Sequence, residues 1–300
     1  MVLRTLVLGG SGQIGSHLKN NYFKFSKEAK AEHNIIYKDS KTLNLLDLPS
    51  LKLFFKSNKK FDHLIFLVGL AHFKGVKKDI LAFEQINYST LQNTLSALEE
   101  TNKTPRKIIF TSSISIYGEK YNQKYYKENS IKRPFSPYAI TKLAAENLLI
   151  SKFSKISWVL RLAPVYSSNF NLNIDRRTKI KNTFYKIGNG KVKLSLCHID
   201  NIIICIIGIL KDKLDPGVYN LSDKIEYTYT DLLMYQNAKK IIKIPTFLIF
   251  IVYFFSWITN NIFLKENSIK LFSNNIFCSK KIQKNINIKF QLNTKKRNVC

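Results

Sequence analysis

The chain has 300 residues, 45% of them hydrophobic and 13% aromatic, enough to bury a full core and too apolar to be disordered as a whole. Its formal net charge is +28, but the basic residues are mostly Lys and run along the whole chain. That spread argues against nucleic acid as a partner, while leaving anionic ligands and anionic lipid surfaces favoured. The cysteines at positions 197, 205, 278 and 300 lack paired spacing, which disfavours a zinc site or a disulfide scaffold and points to a reduced, cytoplasmic setting.

In chain order, residues 2–10 read as a strand running into a glycine turn rather than as a secretory leader. Short apolar strands are expected at 5–8, 34–37, 63–68, 107–111 and 157–162. Helices are expected at 14–25, 48–57, 79–100 and 138–153. This alternation predicts an α/β fold, a Rossmann-type doubly wound parallel sheet with helices on both faces, over residues 1–165. The second half is less regular. Residues 171–186 are polar and basic, 202–210 are almost continuously apolar, and Asp215-Pro216-Gly217 marks a turn before a strand at 218–221. An apolar helix at 244–258 and a basic tail from Ser279 follow. Residues 166–300 are therefore read as a smaller C-terminal α+β substrate lobe over the carboxyl edge of the sheet. Residues 246–258 carry no charge. As a helix they span about 20 Å, short of the ~30 Å hydrocarbon core of a bilayer. Burial within the lobe is the first expectation for them, and a peripheral position on a membrane surface is the alternative.

The segment Gly9-Gly10-Ser11-Gly12-Gln13-Ile14-Gly15 follows the first strand directly and opens a helix. Spaced glycines allow a tight turn, close approach of bare backbone to a pyrophosphate, and tight helix–strand packing. The helix N-terminus then presents free N–H groups to phosphate oxygens. A ligand-free glycine turn is the plainer reading of this segment alone. Asp39 stands roughly 20 residues further on, where an acidic contact to a ribose is expected. It favours NAD, as does Ser11 in the glycine turn, whereas the adjacent Lys38 leaves NADP open.

Tyr138 and Lys142 form Y-x-x-x-K. Residues four apart share a helix face, so the ammonium should lie near the phenol and favour its ionised form. By itself this pattern is common on protein surfaces. The context is Thr111-Ser112-Ser113-Ile114-Ser115-Ile116-Tyr117-Gly118, a cluster of hydroxyls at the end of a buried strand, where ligands of such sheets sit.

S-S-x-x-x-Y-G followed by P-Y-x-x-x-K resembles the extended short-chain dehydrogenase/reductases, in particular the NAD-dependent epimerase/dehydratase family and UDP-galactose 4-epimerase-like members. The resemblance implies that Ser113 polarises a sugar oxygen, Tyr138 is the acid/base, and Lys142 holds the nicotinamide ribose. Further matches cover most of the chain. Leu43–Asp47 (with Asn44 where Asp is usual, and Leu45) resembles the adenine-side segment. Leu67, Val68 and Gly69 resemble the loop under the cofactor, with Val68 in place of alanine, and His72 follows them. Asn87 resembles the asparagine that steadies the active site. Arg161-Leu162-Ala163-Pro164-Val165-Tyr166 resembles the segment closing the nicotinamide pocket, with Ser167 in place of glycine. Cys197-His198-Ile199-Asp200-Asn201 and Gly217-Val218-Tyr219-Asn220-Leu221 resemble two segments of the substrate lobe. The implied cofactor-binding set is Gly9, Gly12, Gln13, Ile14, Gly15, Asp39, Asn44, Leu45, Leu67, Val68, Gly69, Asn87, Thr111, Tyr138, Lys142 and Pro164. The family also implies a homodimer and polysaccharide biosynthesis as a setting.

A nucleotide-sugar diphosphate needs cations. Arg176 and Arg177 are the candidates, with Lys179 and Lys181 nearby. His198 reads as a structural hydrogen-bonding residue. The scattered histidines predict no metal site. Three readings follow. The first is epimerisation by transient C4 oxidation and re-reduction. The second is NADPH-dependent reduction of a 4-keto sugar, supported by a likeness of 42–47 to GDP-fucose synthase. The third is a non-catalytic dinucleotide-binding protein. A dehydratase is disfavoured, because Ile114-Ser115 stands where dehydratases carry an acidic pair.

Overall fold

The computed structural model describes residues 2–28, 31–71, 80–118 and 125–293. Along the first half run β1 (Leu3–Leu8), α1 (Gln13–Ser26), β2 (His33–Lys38), α2 (Leu48–Ser57), β3 (His63–Phe66) and α3 (Ile80–Glu84). A π-helical turn at Gln85–Ser89 joins α3 to α4 (Thr90–Glu100). Then come β4 (Lys107–Ser113), β5 (Tyr125–Tyr126), α5 (Pro137–Phe153) and β6 (Ser157–Leu162). The second half holds β7 (Val165–Tyr166), α6 (Leu172–Thr178), β8 (Lys179–Ile180), β9 (Thr183–Ile187), β10 (Lys193–Leu194), β11 (Cys197–His198) and α7 (Ile199–Leu210). It continues with β12 (Gly217–Leu221), β13 (Tyr227–Thr228), α8 (Tyr229–Tyr235), β14 (Ile241–Ile244), α9 (Thr246–Ile258), α10 (Ile262–Phe272), β15 (Ile276–Phe277) and α11 (Lys280–Gln283).

Six strands form one sheet in the order β12-β6-β4-β3-β1-β2, every pairing parallel. Side chains alternate between the faces of a strand, and both faces here are dry. Val7, Ile65 and Ile109 pack under α1 and α7. Leu6, Leu8, Phe66 and Phe110 pack under α2, α4 and α5. The chain leaves β1 toward β2 on one side and returns to β3 on the other. That reversal opens a crevice at the carboxyl ends of β1 and β3, where ligands of open α/β sheets bind.

The expected helix at 79–100 is α3 and α4 with the π turn between them, and Asp79 lies outside the described residues. Two further expectations are corrected. The first concerns the border at 165. Helix α7 and strand β12, both read from sequence as lobe, complete the parallel sheet layer, because β12 pairs with β6 from Gly217↔Trp158 to Leu221↔Leu162. What lies over the carboxyl edge is built from 165–198 and the segments after β12. The second concerns 244–258. Ile244 ends strand β14, Pro245 caps the helix, and only residues 246–258 are helical. That helix is not buried: Ser256 is its one buried residue, while Phe247, Phe254 and Ile258 are 62%, 67% and 69% exposed. The cause is coverage, since α10 packs on one narrow side of it, through Phe272 against Phe250 and Tyr253.

Candidate active site

A cavity of about 320 Å3 opens at the carboxyl edge of the sheet, and the loops after β1, β3, β4 and β6 all reach it. Its floor on one side is the glycine turn. Gly12 precedes α1 and no side chain caps the helix, so the first N–H groups of α1 are left to the cavity, which Gly12, Gln13, Ile14 and Gly15 line. Such an end, carrying the positive pole of the helix, fits a pyrophosphate. The turn admits no side chain at its last glycine, because a Cβ on Gly15 would stand 2.2 Å from the Gly9 carbonyl oxygen. The backbone N–H groups of Gly9 and Gly10 both donate to the Lys38 carbonyl, at 3.0 Å each, pinning the turn to the end of β2.

Ser136 and Pro137 set where α5 begins. The Ser136 hydroxyl accepts from the Ala139 N–H at 3.4 Å, and Pro137 occupies the first turn, where its missing N–H costs nothing. Tyr138 and Lys142 thereby fall on the buried face of α5, at 7% and 4% exposure. Ser113 ends β4 in extended conformation and starts a short 3-10 turn, Ile114–Tyr117, by accepting from the Ser115 N–H at 3.2 Å. Its hydroxyl donates to the Ser115 hydroxyl at 3.2 Å and lines the cavity together with the Tyr138 phenol. Burial pushes that phenol above its ordinary pKa, Ser113 and the Lys270 charge pull it down, and Glu266 pushes it up. The Lys142 ammonium donates to the carbonyls of Val68, at 3.2 Å, and Thr111, at 3.1 Å, and lies 4.9 Å from the Phe110 ring centre. Gly69 makes this approach possible, since a Cβ there would sit 2.8 Å from Lys142 Nζ.

Asn87 is fully buried in the π turn, a local widening that helices often carry at functional sites. Its Oδ1 accepts from the Leu70 N–H at 2.7 Å. Its Nδ2 donates to the Leu70 carbonyl at 3.3 Å and to the Thr141 hydroxyl at 3.2 Å. It thus ties the loop after β3 to α5, between Tyr138 and Lys142. Thr111, Leu67 and Pro164 line the cavity.

The structure does not bring Asp39, Asn44, Leu45, Val68 or Asn87 to the cavity lining. Asp39 lies at the end of β2, where its Oδ1 accepts from the Thr42 hydroxyl and from the N–H groups of Lys41 and Thr42, at 3.0–3.1 Å. The Thr42 hydrogen bond holds its carboxyl below the usual carboxylate range. Asn44 accepts from the Leu46 N–H at 3.0 Å, and Leu45 is buried in the core. Arg176 and Arg177 both line the cavity from α6, and the Arg177 guanidinium donates to the Asn173 carbonyl at 2.6 Å. Lys179 instead pairs with Asp175 at 2.9 Å. His198 caps α7 by accepting from the Asp200 N–H at 3.2 Å. His72 lies outside the described residues.

Sequence reasoning missed two features. From α10, Lys270 lines the cavity and pairs with the buried Glu266 at 2.5 Å, so the described lining is cationic, with Lys142, Arg176, Arg177 and Lys270 and no carboxylate. Beneath the hydroxyl cluster, Glu146 forms a fully buried ion pair with Arg161 and accepts from the Ser112 hydroxyl at 3.0 Å. Arg161 in turn donates to the Tyr117 hydroxyl at 2.7 Å. Among the described residues no group of His, Cys, Asp and Glu could hold a metal, and no helix is long and apolar enough to cross a membrane.

The model of the NAD dependent epimerase/dehydratase family matches residues 5–222. An uncharacterized UDP-glucose epimerase of Bacillus subtilis is 32% identical over 168 residues, 49% of this chain and 50% of that protein. The chain spans about half the length of curated relatives such as this one. Two crystal structures share the fold. A dTDP-4-dehydrorhamnose reductase from Bacillus anthracis, in complex with NADP, superimposes with a TM-score of 0.65 at 17% identity over 82% of this chain and 85% of that one. A UDP-glucuronic acid 4-epimerase from Bacillus cereus, in complex with NAD, gives 0.61 at 21% identity over 81% and 86%.

Proposed function

Because this chain belongs to the NAD dependent epimerase/dehydratase family, we propose that it is an NAD(P)-dependent nucleotide-sugar epimerase working by transient oxidation and re-reduction at C4 of the sugar. The observation that carries this reading is that Ser113, Tyr138 and Lys142 line the same cavity as the open N-terminus of α1. The bare glycine turn and the free N–H groups of α1 fit a dinucleotide pyrophosphate, with Thr111, Pro164 and Lys142 around the ring end of the cleft. Bound there, a nicotinamide supplies reversible hydride transfer.

The residues of the chain do the rest. Tyr138 exchanges a proton with the C4 hydroxyl, and Ser113 hydrogen-bonds the same oxygen, so proton and hydrogen-bond donor arrive prepositioned. Burial raises the pKa of the phenol, and cationic charge beside it acts in the opposite direction. Lys142, fixed by two carbonyls, holds the ribose side. Asn87 acts through Thr141 and Leu70 as a positioning residue. Arg176, Arg177 and Lys270 take the diphosphate.

Similarity to reductases favours a second reading, an NADPH-dependent 4-keto-sugar reductase, and the use of Asp39 Oδ1 within its own turn gives that reading a specific footing. The test is to denature the purified protein, quantify the released cofactor, and assay UDP-, GDP- and dTDP-sugars. Epimerisation predicts tightly held NAD and no net cofactor consumption. Consumption of one NADPH per turnover selects the reductase. In either case Tyr138→Phe is expected to lower kcat by about 10²–10⁴-fold with dinucleotide affinity preserved. Full activity of that variant would overturn both.

A further inference from the structure

Helix α9 stands outside the functional reading. Its apolar side chains are exposed over most of its circumference. At 100° per residue, Phe247, Ile251, Phe254, Phe255 and Ile258, each 55–69% exposed, cover an arc of about 100°, and Leu248, Phe250, Val252 and Trp257, each 38–56% exposed, widen it to roughly 220°. Only the strip carrying Ile249, Tyr253 and Ser256 turns to the body of the protein. A flat protein partner cannot cover so wide an arc, whereas a fluid hydrocarbon phase can. The patch continues onto strand β14, where Ile241 and Ile242 are also exposed.

Charge decides the occupant. Between Asp231 and Glu266 the chain carries no acidic residue, while Lys239, Lys240, Lys243 and Lys265 stand there. The Lys265 ammonium lies 3.1 Å from the Trp257 ring centre, which places a cation and an indole together at the rim of the apolar arc. Aromatic rings and snorkelling lysines take this position at a headgroup boundary. A second copy of the chain would bring the same lysines, and another +28 of formal charge, against the first. An anionic lipid surface has the complementary sign. Helix length excludes spanning, because 13 residues reach about 20 Å against a core of ~30 Å.

We propose that α9 docks the protein on an anionic membrane surface, with its apolar arc in the upper acyl region and the flanking lysines among the headgroup phosphates. Helix α10 packs directly on α9 and also delivers Lys270 to the cavity, so the docked protein carries its active site close to the lipid.

The test uses the full chain and large unilamellar vesicles, either of phosphatidylcholine alone or of equal parts phosphatidylcholine and phosphatidylglycerol. The protein is expected to sediment with the mixed vesicles. Its fluorescence should shift to the blue on binding, a signal from Trp257, which is 56% exposed, since Trp158 is already buried at 4%. The charge-neutral double variant Phe254→Asn, Phe255→Asn removes only exposed rings and should keep the unfolding midpoint while binding about tenfold more weakly or worse. Ile258→Asn, at the far end of the helix, is an independent second variant with the same expectation. Three results overturn the proposal. The first is no sedimentation with mixed vesicles. The second is equal sedimentation of the variants, which means that adsorption comes from overall charge. The third is a wild-type dimer, lost in the variants, with no vesicle binding.

Discussion

Two buried ionisable groups away from the cavity set testable terms in stability. His63 opens strand β3 with its Nδ1 3.1 Å from the Thr5 hydroxyl, and burial pushes its pKa down to about 4. In the unfolded chain the group titrates near ~6.5. The unfolded state therefore binds the extra proton between these values. The stabilising contribution is fully present above about pH 6.5 and is lost as pH falls toward about 4, by up to about 3 kcal/mol. Unfolding midpoints taken across this window should fall less steeply for His63→Asn than for the parent, and parallel slopes would remove His63 from the explanation. Glu146 is the second case. Its replacement by Ala leaves Arg161, 1% exposed, as an uncompensated buried cation, for a loss of about 3–5 kcal/mol in denaturant unfolding. The sequence made Tyr138 and Lys142 legible because a four-residue spacing is local, and the hydroxyl cluster near them because strand ends are predictable, while the choice of Ser113 within that cluster came from the family resemblance. It gave no sign of the Glu146–Arg161 pair, which joins a helix to a strand, nor of Lys270, which reaches the cavity through the packing of α10.

Elements were legible where periodicity and turn chemistry agreed. Expected strands at 157–162 and 218–221 and the helix at 48–57 match β6, β12 and α2 within a residue, since buried parallel strands are short apolar runs bounded by turns. The π turn was not legible, because one extra residue per turn leaves no mark on a 3.6-residue pattern. It follows from the position of Asn87, which must reach both Leu70 and Thr141. Exposure of α9 was not legible either, since composition reports that a helix is apolar and not whether anything covers it. The junction of β1 and α1 yields a prediction at this scale. A methyl group at position 15 would meet backbone on three sides, with Gly10 Cα at 2.8 Å. Gly15→Ala should then force α1 away from β1, with a loss of about 1–3 kcal/mol and weaker dinucleotide binding by titration. Normal affinity in that variant would place the pyrophosphate elsewhere.

Across the whole molecule, the two halves of the sequence are interleaved in space. Strand β5, from the first half, pairs with β15, near the far end of the described chain, and β12 lies at the edge of a sheet otherwise made before residue 163. The fold class was legible from alternation of strand and helix, but the border at 165 was not a border between bodies. A sequence cut sees a change in regularity, and the sheet recruits whichever later strand has the right apolar face.

That late recruitment bears on how the polypeptide reaches its native state. During synthesis, a nascent chain that has emerged only as far as residue 165 exposes the outer flank of β6 and the sheet surface that Ile202, Ile206 and Ile209 will cover. It has to wait for some fifty further residues before that flank is sealed, an interval that invites chaperone capture. A fragment ending at 165 should accordingly be found in the insoluble fraction, and one extended through Leu221 should be recovered in better yield.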